Sequence, residues 1–140
     1  VWDKTGALKP WMAAPLGGQS AADGWSGDPA VKLLRVPALN SSDDLQGYVL
    51  HADPATQRIL VYIRVGGGWW TKPTAAAPQT TIRANSLWTV DITTGGADQT
   101  ATEIAVYLVP ATFDSPLLVG AADLPAGLAA YPQVHATRSP

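Results

Sequence analysis

Apolar and polar residues alternate with a period of two along much of the chain beyond residue 30. The clearest case is "RILVYIRV" at residues 58–65, where every second residue is Ile or Val. Neighbouring side chains of an extended chain point to opposite faces, so this pattern predicts an antiparallel strand with one buried and one solvated face. The predicted buried face carries Ile59, Val61, Ile63 and Val65, and the solvated face carries Arg58, Leu60, Tyr62 and Arg64.

Six further segments have the pattern of short strands. They lie at residues 31–39, 45–52, 80–84, 87–93, 101–110 and 133–138. Asn85 and Ser86 predict a tight hairpin turn between the segments that flank them. Residues 121–131 have helical content, but Pro125 and Gly127 limit it to a turn or two.

The seven or so strands predict the fold class. Short strands joined by connections with Gly, Pro, Asn and Asp are typical of an all-β antiparallel β-sandwich with Ig-like or fibronectin-like topology. A closed barrel is the alternative. We expect one core that contains Ile59, Val61, Ile63, Ile104, Val106 and Leu108, with Trp88 or Val90 and Ile92 opposite them.

The first 30 residues differ from the rest of the chain. They are rich in Gly, Pro, Ala and Ser, have no sustained period, and contain Trp2, Trp11 and Trp25. This composition predicts an irregular arm, but a solvated linker rarely carries three tryptophans. We therefore expect residues 1–30 to form an arm that docks in part on the domain or on a partner, and residues 31–140 to form the sandwich domain.

Composition narrows the classes of function. The chain has 140 residues, no cysteine, a net charge of −2 and 14% charged residues, against about 25% in an ordinary globular protein. Its nine Lys and Arg residues are scattered, which gives little support for nucleic-acid binding. No apolar run reaches the roughly 18 residues of a membrane span, so we expect no membrane insertion. Disulfides, thiolate metal sites and thiol catalysis are excluded.

The compartment is predicted from composition alone. Few Lys and Glu residues with many Thr, Ala, Gly and Pro residues favour a secreted or cell-surface bacterial module. The first residues do not have the pattern of a signal peptide. The chain is therefore either cytosolic or a mature segment whose leader is missing.

The sequence has few residue motifs that would indicate a catalytic or metal site. His51 and His135 fall near the ends of predicted strands, and no G-x-S-x-G motif is present. Paired carboxylates can serve a glycosidase, but Asp43 and Asp44 lie in a predicted solvated turn. The stretch with Asp91, Asp98 and Glu103 lacks the spacing of a calcium loop. We expect Asp98 and Gln99, which follow Gly95 and Gly96, to organise the turn, and we expect no catalytic residue, metal or cofactor.

Binding chemistry is better supported, by "GGGWWTKP" at residues 66–73. Aromatic side chains offer apolar faces to sugar rings, while nearby polar groups can bond the hydroxyls. The candidate ligand-binding residues are Trp69, Trp70, Lys72, Tyr62 and Arg64. If the alternation of residues 58–65 continues through the glycines, Trp70 lies on the same face as Tyr62 and Arg64, and Trp69 lies on the core face. A bulge at the glycines would break this parity, and packing of both indoles is the alternative.

The motifs also carry a resemblance to a family. "VYIRVGGGWWTKP", followed by "TTI" and "LWTVDITTGGADQTATEIAVYLVP", resembles a small β-domain of secreted bacterial proteins that is often found beside carbohydrate-active modules. The similarity covers about residues 49–118, with an Asn85-Ser86 turn where similar domains usually have D-G. It implies a secreted β-domain and carries no settled activity.

These observations predict a non-catalytic binding module, for a polysaccharide or another glycan, in a secreted bacterial protein. The alternative is a self-assembling structural or adhesin-like subunit. In that case the aromatic arm would bind copies of the same protein by adding to a sheet edge.

Overall fold

A computed structural model of the protein describes residues 27–138. This part of the chain contains nine strands and two short 3-10 turns. The strands are β1 (Ala30–Arg35), β2 (Leu45–Leu50), β3 (Gln57–Val65), β4 (Gly68–Lys72), β5 (Gln79–Thr81), β6 (Leu87–Val90), β7 (Glu103–Pro110), β8 (Val119–Ala121) and β9 (Gln133–Thr137), and the 3-10 turns are Asp98–Thr100 and Ala126–Ala130.

The strands form two antiparallel sheets. The large sheet has the order β9-β7-β3-β4-β8, with β5 also paired to β3, and the small sheet has the order β1-β2-β6. The predicted all-β sandwich is therefore confirmed. All seven predicted strands are present, and the short turn predicted near residue 126 also forms. β4 and β8 were not predicted.

The core between the two sheets matches the prediction. Ile59, Val61 and Ile63 of β3 and Ile104, Val106 and Leu108 of β7 pack in one cluster. Trp88, Val90 and Ile92 belong to the same cluster. The alternation of apolar and polar residues in β3 and β7 thus correctly predicted which side chains face the core. The reason is that side chains on the inner face of the large sheet are removed from water, which favours apolar residues there.

The other face of the large sheet is also buried, which the sequence did not predict. Leu60, Tyr62, Trp69, Ala105, Tyr107, Val109 and Leu128 form a second core. The segment at residues 111–132 covers it and contributes Phe113, Leu118, Leu124 and Tyr131. The half-buried interpretation of β3 is therefore wrong for Leu60 and Tyr62. Both faces of β3 and β7 are covered because the chain folds back after β7.

Hydrogen bonds fasten this covering segment to the sheet. The Tyr62 hydroxyl donates to the carbonyl of Pro116 at 2.7 Å. The side-chain amide of Gln79 donates to the carbonyl of Phe113 at 3.1 Å and to Oγ of Ser115 at 2.9 Å. Burial, with a smaller contribution from Tyr107, raises the pKa of Tyr62 well above its ordinary value of 10.0.

The tight hairpin turn predicted at Asn85-Ser86 forms, and the amide of Arg83 donates across it to the carbonyl of Leu87 at 2.9 Å. The amide of Ser86 donates to the carbonyl of Arg83 at 2.8 Å. However, β5 pairs with β3 in the large sheet and β6 pairs with β2 in the small sheet. Ile82 is buried in the intersheet core, so the chain crosses from one sheet to the other at this turn.

The predicted arm lies mainly outside the described residues. β1 begins at Ala30, within the range assigned to the arm, and residues 1–26 are not described. Over residues 27–138, the structure has no helix whose length and apolar character would let it cross a membrane.

Candidate functional site

The β3–β4 hairpin determines where the two adjacent tryptophans point. Gly66 and Gly67 have φ of 58° and 88°, and a two-residue hairpin turn of the I′ type needs positive φ at both central positions. The strands on either side pair in register, with Arg64 opposite Trp69 and Ile63 opposite Trp70.

This register corrects the predicted orientation of the tryptophans. Directly paired residues project from the same face of a sheet. Trp69 therefore shares a face with Arg64 and Tyr62, and Trp70 shares a face with Ile63. The prediction was the reverse, because it carried the alternation straight through the glycines. The chain instead reverses direction at Gly66 and Gly67. Even-numbered residues of β3 therefore pair with odd-numbered residues of β4.

Trp69 and Tyr62 are core residues. Both belong to the second core, with Trp69 only 6% exposed and Tyr62 fully buried. Tyr107 packs edge-on against Tyr62, with ring centroids 6.2 Å apart. Neither Trp69 nor Tyr62 presents its ring to a ligand at the surface.

Trp70 lies at the uncovered margin of the large sheet. It is 37% exposed, and no residue of β4 or β8 belongs to the intersheet core. Gly120 supports the indole from β8, since a Cβ added at Gly120 would lie 3.3 Å from Cζ2 of Trp70. Gly120, with φ of 74°, is the extra residue of a β-bulge opposite Trp70.

Two exposed aliphatic residues extend this apolar surface. Val119 pairs with Trp70 and is 74% exposed, and Leu117 is 53% exposed. Leu118, between them, packs into the second core, so alternation turns its two neighbours to the opposite side. We call the surface formed by Trp70, Leu117 and Val119 the Trp70 shelf.

Lys72 does not face solvent. It is buried and forms an ion pair with Asp98, and its Nζ also donates to Oγ1 of Thr94 at 3.0 Å. Oδ2 of Asp98 accepts a further hydrogen bond from the amide of Gly95 at 3.0 Å. The predicted role of Asp98 in organising this turn is confirmed. Lys72 thereby fastens the loop at residues 93–98 to β4.

The fastened loop borders the shelf. Lys72 lies two residues beyond Trp70 in β4, so both project from the same face. Gly95 and Gly96 are exposed at the tip of the loop, and no atom lies within 4 Å of a Cβ built on either residue. The amide and carbonyl of Gly95 are both bonded to Asp98, so the accessible backbone at this tip is that of Gly96.

Arg64 lies on the other face of the sheet from Trp70. Its Nη1 is 3.0 Å from Oε2 of Glu103, and both side chains are partly exposed. The five predicted ligand-binding residues thus do not form one cluster. Ligand binding by them stays a prediction, and Trp70 is the member with an accessible aromatic ring. The predicted set omitted Leu117, Val119 and Gly120, although the apolar run that ends at a glycine could have indicated them.

The described histidines and carboxylates do not converge. Nε2 of His135 lies 2.8 Å from Oε1 of Gln133, and its ring packs edge-on against Tyr107. Over residues 27–138, no group of three or more His, Cys, Asp or Glu side chains could hold a metal ion.

Comparisons with known proteins add no relative. No family model, no curated protein sequence and no solved structure matches this chain. The resemblance to a secreted bacterial β-domain therefore stays a prediction, and the functional argument depends on the geometry of the site.

Proposed function

We propose that this protein is a non-catalytic binding module and that the Trp70 shelf contacts a carbohydrate. The observation that carries the proposal is the exposure of Trp70. Among residues 27–138 it is the only exposed Trp, Tyr or Phe residue. The indole lies beside Gly120, where an added Cβ would come within 3.3 Å of Cζ2, and its exposed part is available for a ligand to stack on.

The chemistry of the surface favours an uncharged sugar face. An indole presents a broad apolar face that suits the C–H face of a pyranose ring. Lys72, two residues beyond Trp70 on the same face of β4, is neutralised by Asp98 in a buried pair. The exposed backbone of Gly96 can supply hydrogen bonds to hydroxyl groups at the rim. A neutral polysaccharide is therefore the expected ligand, in a secreted or cell-surface setting.

Retention on a panel of insoluble polysaccharides tests this function. Trp70→Ala should abolish retention, because aromatic anchors supply most of the binding energy at such sites, and Trp70→Phe should restore part of it. Leu34→Ala is the matched control, since Leu34 is an exposed apolar residue of the small sheet, away from the shelf. Equal retention of Trp70→Ala and the parent protein would reject the proposal.

A second candidate function is self-association at the same margin. β8 is an edge strand of three residues, and its Val119 is the most exposed of the large apolar residues in the described part of the chain. Exposed edge strands can pair with another chain. Light scattering over a range of concentrations distinguishes the two functions. A monomer that is retained on polysaccharide supports the binding module, whereas oligomers that Val119→Lys dissociates support a structural subunit.

A further inference from the structure

The outer face of the small sheet carries two rows of paired side chains. In β2, Leu45 and Val49 belong to the intersheet core, so Gln46 and Tyr48 point outward. Directly paired residues share a face of a sheet, so the partners of Gln46 and Tyr48 point outward as well. The first row is Lys32, Tyr48 and Leu87, and the second row is Arg35, Gln46 and Thr89.

An open depression of about 150 Å³ lies between these rows. Leu34 and Leu87 give it an apolar border, and Gln46, Arg83 and Thr89 give it polar groups. A cavity of about this size holds a six-membered ring, as an apolar cavity in a protein core holds benzene. Because this depression opens to solvent, the substituents of a ring and the neighbouring units of a chain can extend outward from it.

Arg83 is the charged group that lines the depression. Its Nη2 donates to Oγ1 of Thr89 at 3.0 Å, which holds the guanidinium on the outer face. A guanidinium has five N–H donors in a fixed plane, so one bond to Thr89 leaves donors for a ligand. Two parallel bonds to a carboxylate are the geometry that this group favours.

Positive charges border the depression on both sides. Arg35 pairs with Asp43 at 2.6 Å, whereas Lys32 and Arg83 form no ion pair with any residue of the described range 27–138.

Other carboxylates of the small sheet lie further away. Asp44 and Asp91 come two residues beyond Gln46 and Thr89 along their strands, roughly 7 Å from the second row. Asp91 already accepts a hydrogen bond from the amide of Thr93 at 2.9 Å. The positive potential at the depression therefore comes from Arg83 and Lys32, and it suits an anionic ligand.

The floor of the depression favours a sugar over a peptide strand. β2 is the central strand of the small sheet and pairs with β1 on one side and β6 on the other. Its backbone groups are therefore used within the sheet, and an extended peptide could not bind there by adding a strand. Only side chains face the ligand, and Gln46 and Thr89 offer the short polar groups that bond hydroxyls.

We propose that this face binds an acidic polysaccharide and that Arg83 contacts the carboxylate of a sugar unit in the depression. Gln46 and Thr89 bond the hydroxyls of that unit, and Lys32 adds a second positive charge beside it. This surface is distinct from the Trp70 shelf, so the proposal does not depend on the binding of a neutral polysaccharide there.

Titration calorimetry with an oligogalacturonide and with its methyl ester tests the recognition of charge. The two probes have the same sugar backbone, but the ester carries no carboxylate charge. The acid should bind, with an affinity that falls as salt is added, and the ester should bind about tenfold more weakly or less. Equal affinity for the two probes, or no binding of the acid, would overturn the proposal.

Poly-glutamate distinguishes a sugar site from a general anion site. It supplies carboxylates without sugar hydroxyls, so its binding at equal carboxylate concentration should be weaker than that of the oligogalacturonide. If poly-glutamate binds as tightly, the face recognises charge alone and the assignment to a polysaccharide is wrong.

Substitutions of single cations identify the residues involved. Arg83→Gln should weaken binding of the acid about tenfold, as loss of a charge-assisted hydrogen bond implies, and Arg83→Lys should recover part of the affinity because it keeps the charge. Lys32→Gln should weaken binding about two- to fivefold. Lys32 and Arg83 are exposed, so these variants should melt at the parental temperature.

The matched control removes a cation from the large sheet. Arg64 forms a partly exposed ion pair with Glu103 on the other sheet, and Arg64→Gln should leave the affinity for the acid unchanged. Parental affinity in Arg83→Gln, or an equal loss in Arg64→Gln, would contradict the site.

Nuclear magnetic resonance locates the site without any substitution. Addition of the oligogalacturonide should shift the side-chain amide signals of Gln46 and the backbone amide signal of Thr89, and should leave the indole signal of Trp70 in place. Trp70→Ala should bind the acid with parental affinity while it loses retention on neutral polysaccharide, so the two proposed sites can fail separately. A shift confined to the Trp70 indole, or loss of acid binding in Trp70→Ala, would place the acidic ligand on the shelf and overturn the proposal.

Discussion

Trp69 and Trp70 are neighbours in β4 but project from opposite faces of the large sheet. Trp69 is 6% exposed in the second core, and Trp70 is 37% exposed at the uncovered margin. The adjacent tryptophans therefore have separate roles, one in stability and one at the surface. The two-residue turn at Gly66 and Gly67 decides which of them is buried.

Truncating the two tryptophans should have very different effects on stability. Trp69→Ala removes a buried indole and leaves a cavity, which should cost about 3–5 kcal/mol of unfolding free energy. Trp70→Ala should cost much less, because part of the ring is already in water. Urea unfolding of both variants measures the difference. If the two midpoints fall equally, both indoles are core residues and the assignment of Trp70 to the surface is wrong.

Gly68 should not tolerate alanine. A Cβ at Gly68 would lie 2.9 Å from Cα of Gly120, and backbone at that distance cannot move aside cheaply. Gly68→Ala should therefore destabilise the protein by about 1–3 kcal/mol, as other overpacking substitutions do. Gly95→Ala is the control, since no atom lies within 4 Å of its Cβ position. Thermal melting of both variants tests this, and an unchanged melting temperature for Gly68→Ala would contradict the close packing of β4 and β8.

The Lys72–Asp98 pair should contribute strongly to stability only while both partners are present. Their side chains are 10% and 11% exposed, and Lys72→Met would leave the Asp98 carboxylate buried without its cation. Loss of one partner of a buried pair costs about 3–5 kcal/mol. The double variant Lys72→Met/Asp98→Asn should recover part of this loss, because Asn keeps an acceptor for the Gly95 amide and carries no charge.

A surface pair in the same protein serves as the control. The Arg35 and Asp43 side chains are 57% and 56% exposed, so Arg35→Ala should change the unfolding free energy by no more than about 0.5 kcal/mol. Chemical denaturation of these variants at one pH makes the comparison. An effect of Lys72→Met as small as that of Arg35→Ala would show that the buried pair is unimportant.

Stability should decline in alkaline solution. Burial raises the pKa of Tyr62 and of Tyr107 above the ordinary value of 10.0. The folded state therefore retains phenolic protons that the unfolded state loses above about pH 10. Stability is fully present below that pH and falls as the pH rises, by up to about 1.4 kcal/mol per pH unit for each tyrosine.

Tyr62→Phe identifies the contribution of one of these tyrosines. The variant should lose about 1 kcal/mol at pH 7, because the hydrogen bond to Pro116 is removed, and its stability should fall less steeply above pH 10. Urea midpoints between pH 7 and 11.5 give both quantities. A variant as alkali-sensitive as the parent protein would refute the assignment to Tyr62.

Much of the sandwich could be predicted from the sequence alone. The alternation in β3 and β7 identified the intersheet core around Val61 and Val106, because a strand with one face against a core carries an apolar residue at every second position. The turn at Asn85 and Ser86 was likewise evident from local residue types. These features depend on interactions between residues close in sequence or on the alternation of side chains with a period of two residues.

Other features were decided only by tertiary structure. The burial of Tyr62 depends on residues 111–132, which return across the sheet and cover it. No local pattern in β3 predicts this covering segment, because the segment begins about fifty residues later in the chain. The same is true of Lys72, whose polar character predicts a solvated side chain until Asp98 is brought beside it. The sequence determined which residues alternate, and long-range packing decided which of the two faces meets water.

The orientation of the tryptophans shows this division most clearly. The sequence alone determined that Trp69 and Trp70 must diverge, because adjacent side chains on a strand point to opposite faces. Which one is exposed depended on the register with which β4 returns along β3, and on Gly120 of β8 as the support for the exposed ring. A one-residue change of register turns every side chain of a strand to the other face, so only the folded pairing could decide between them.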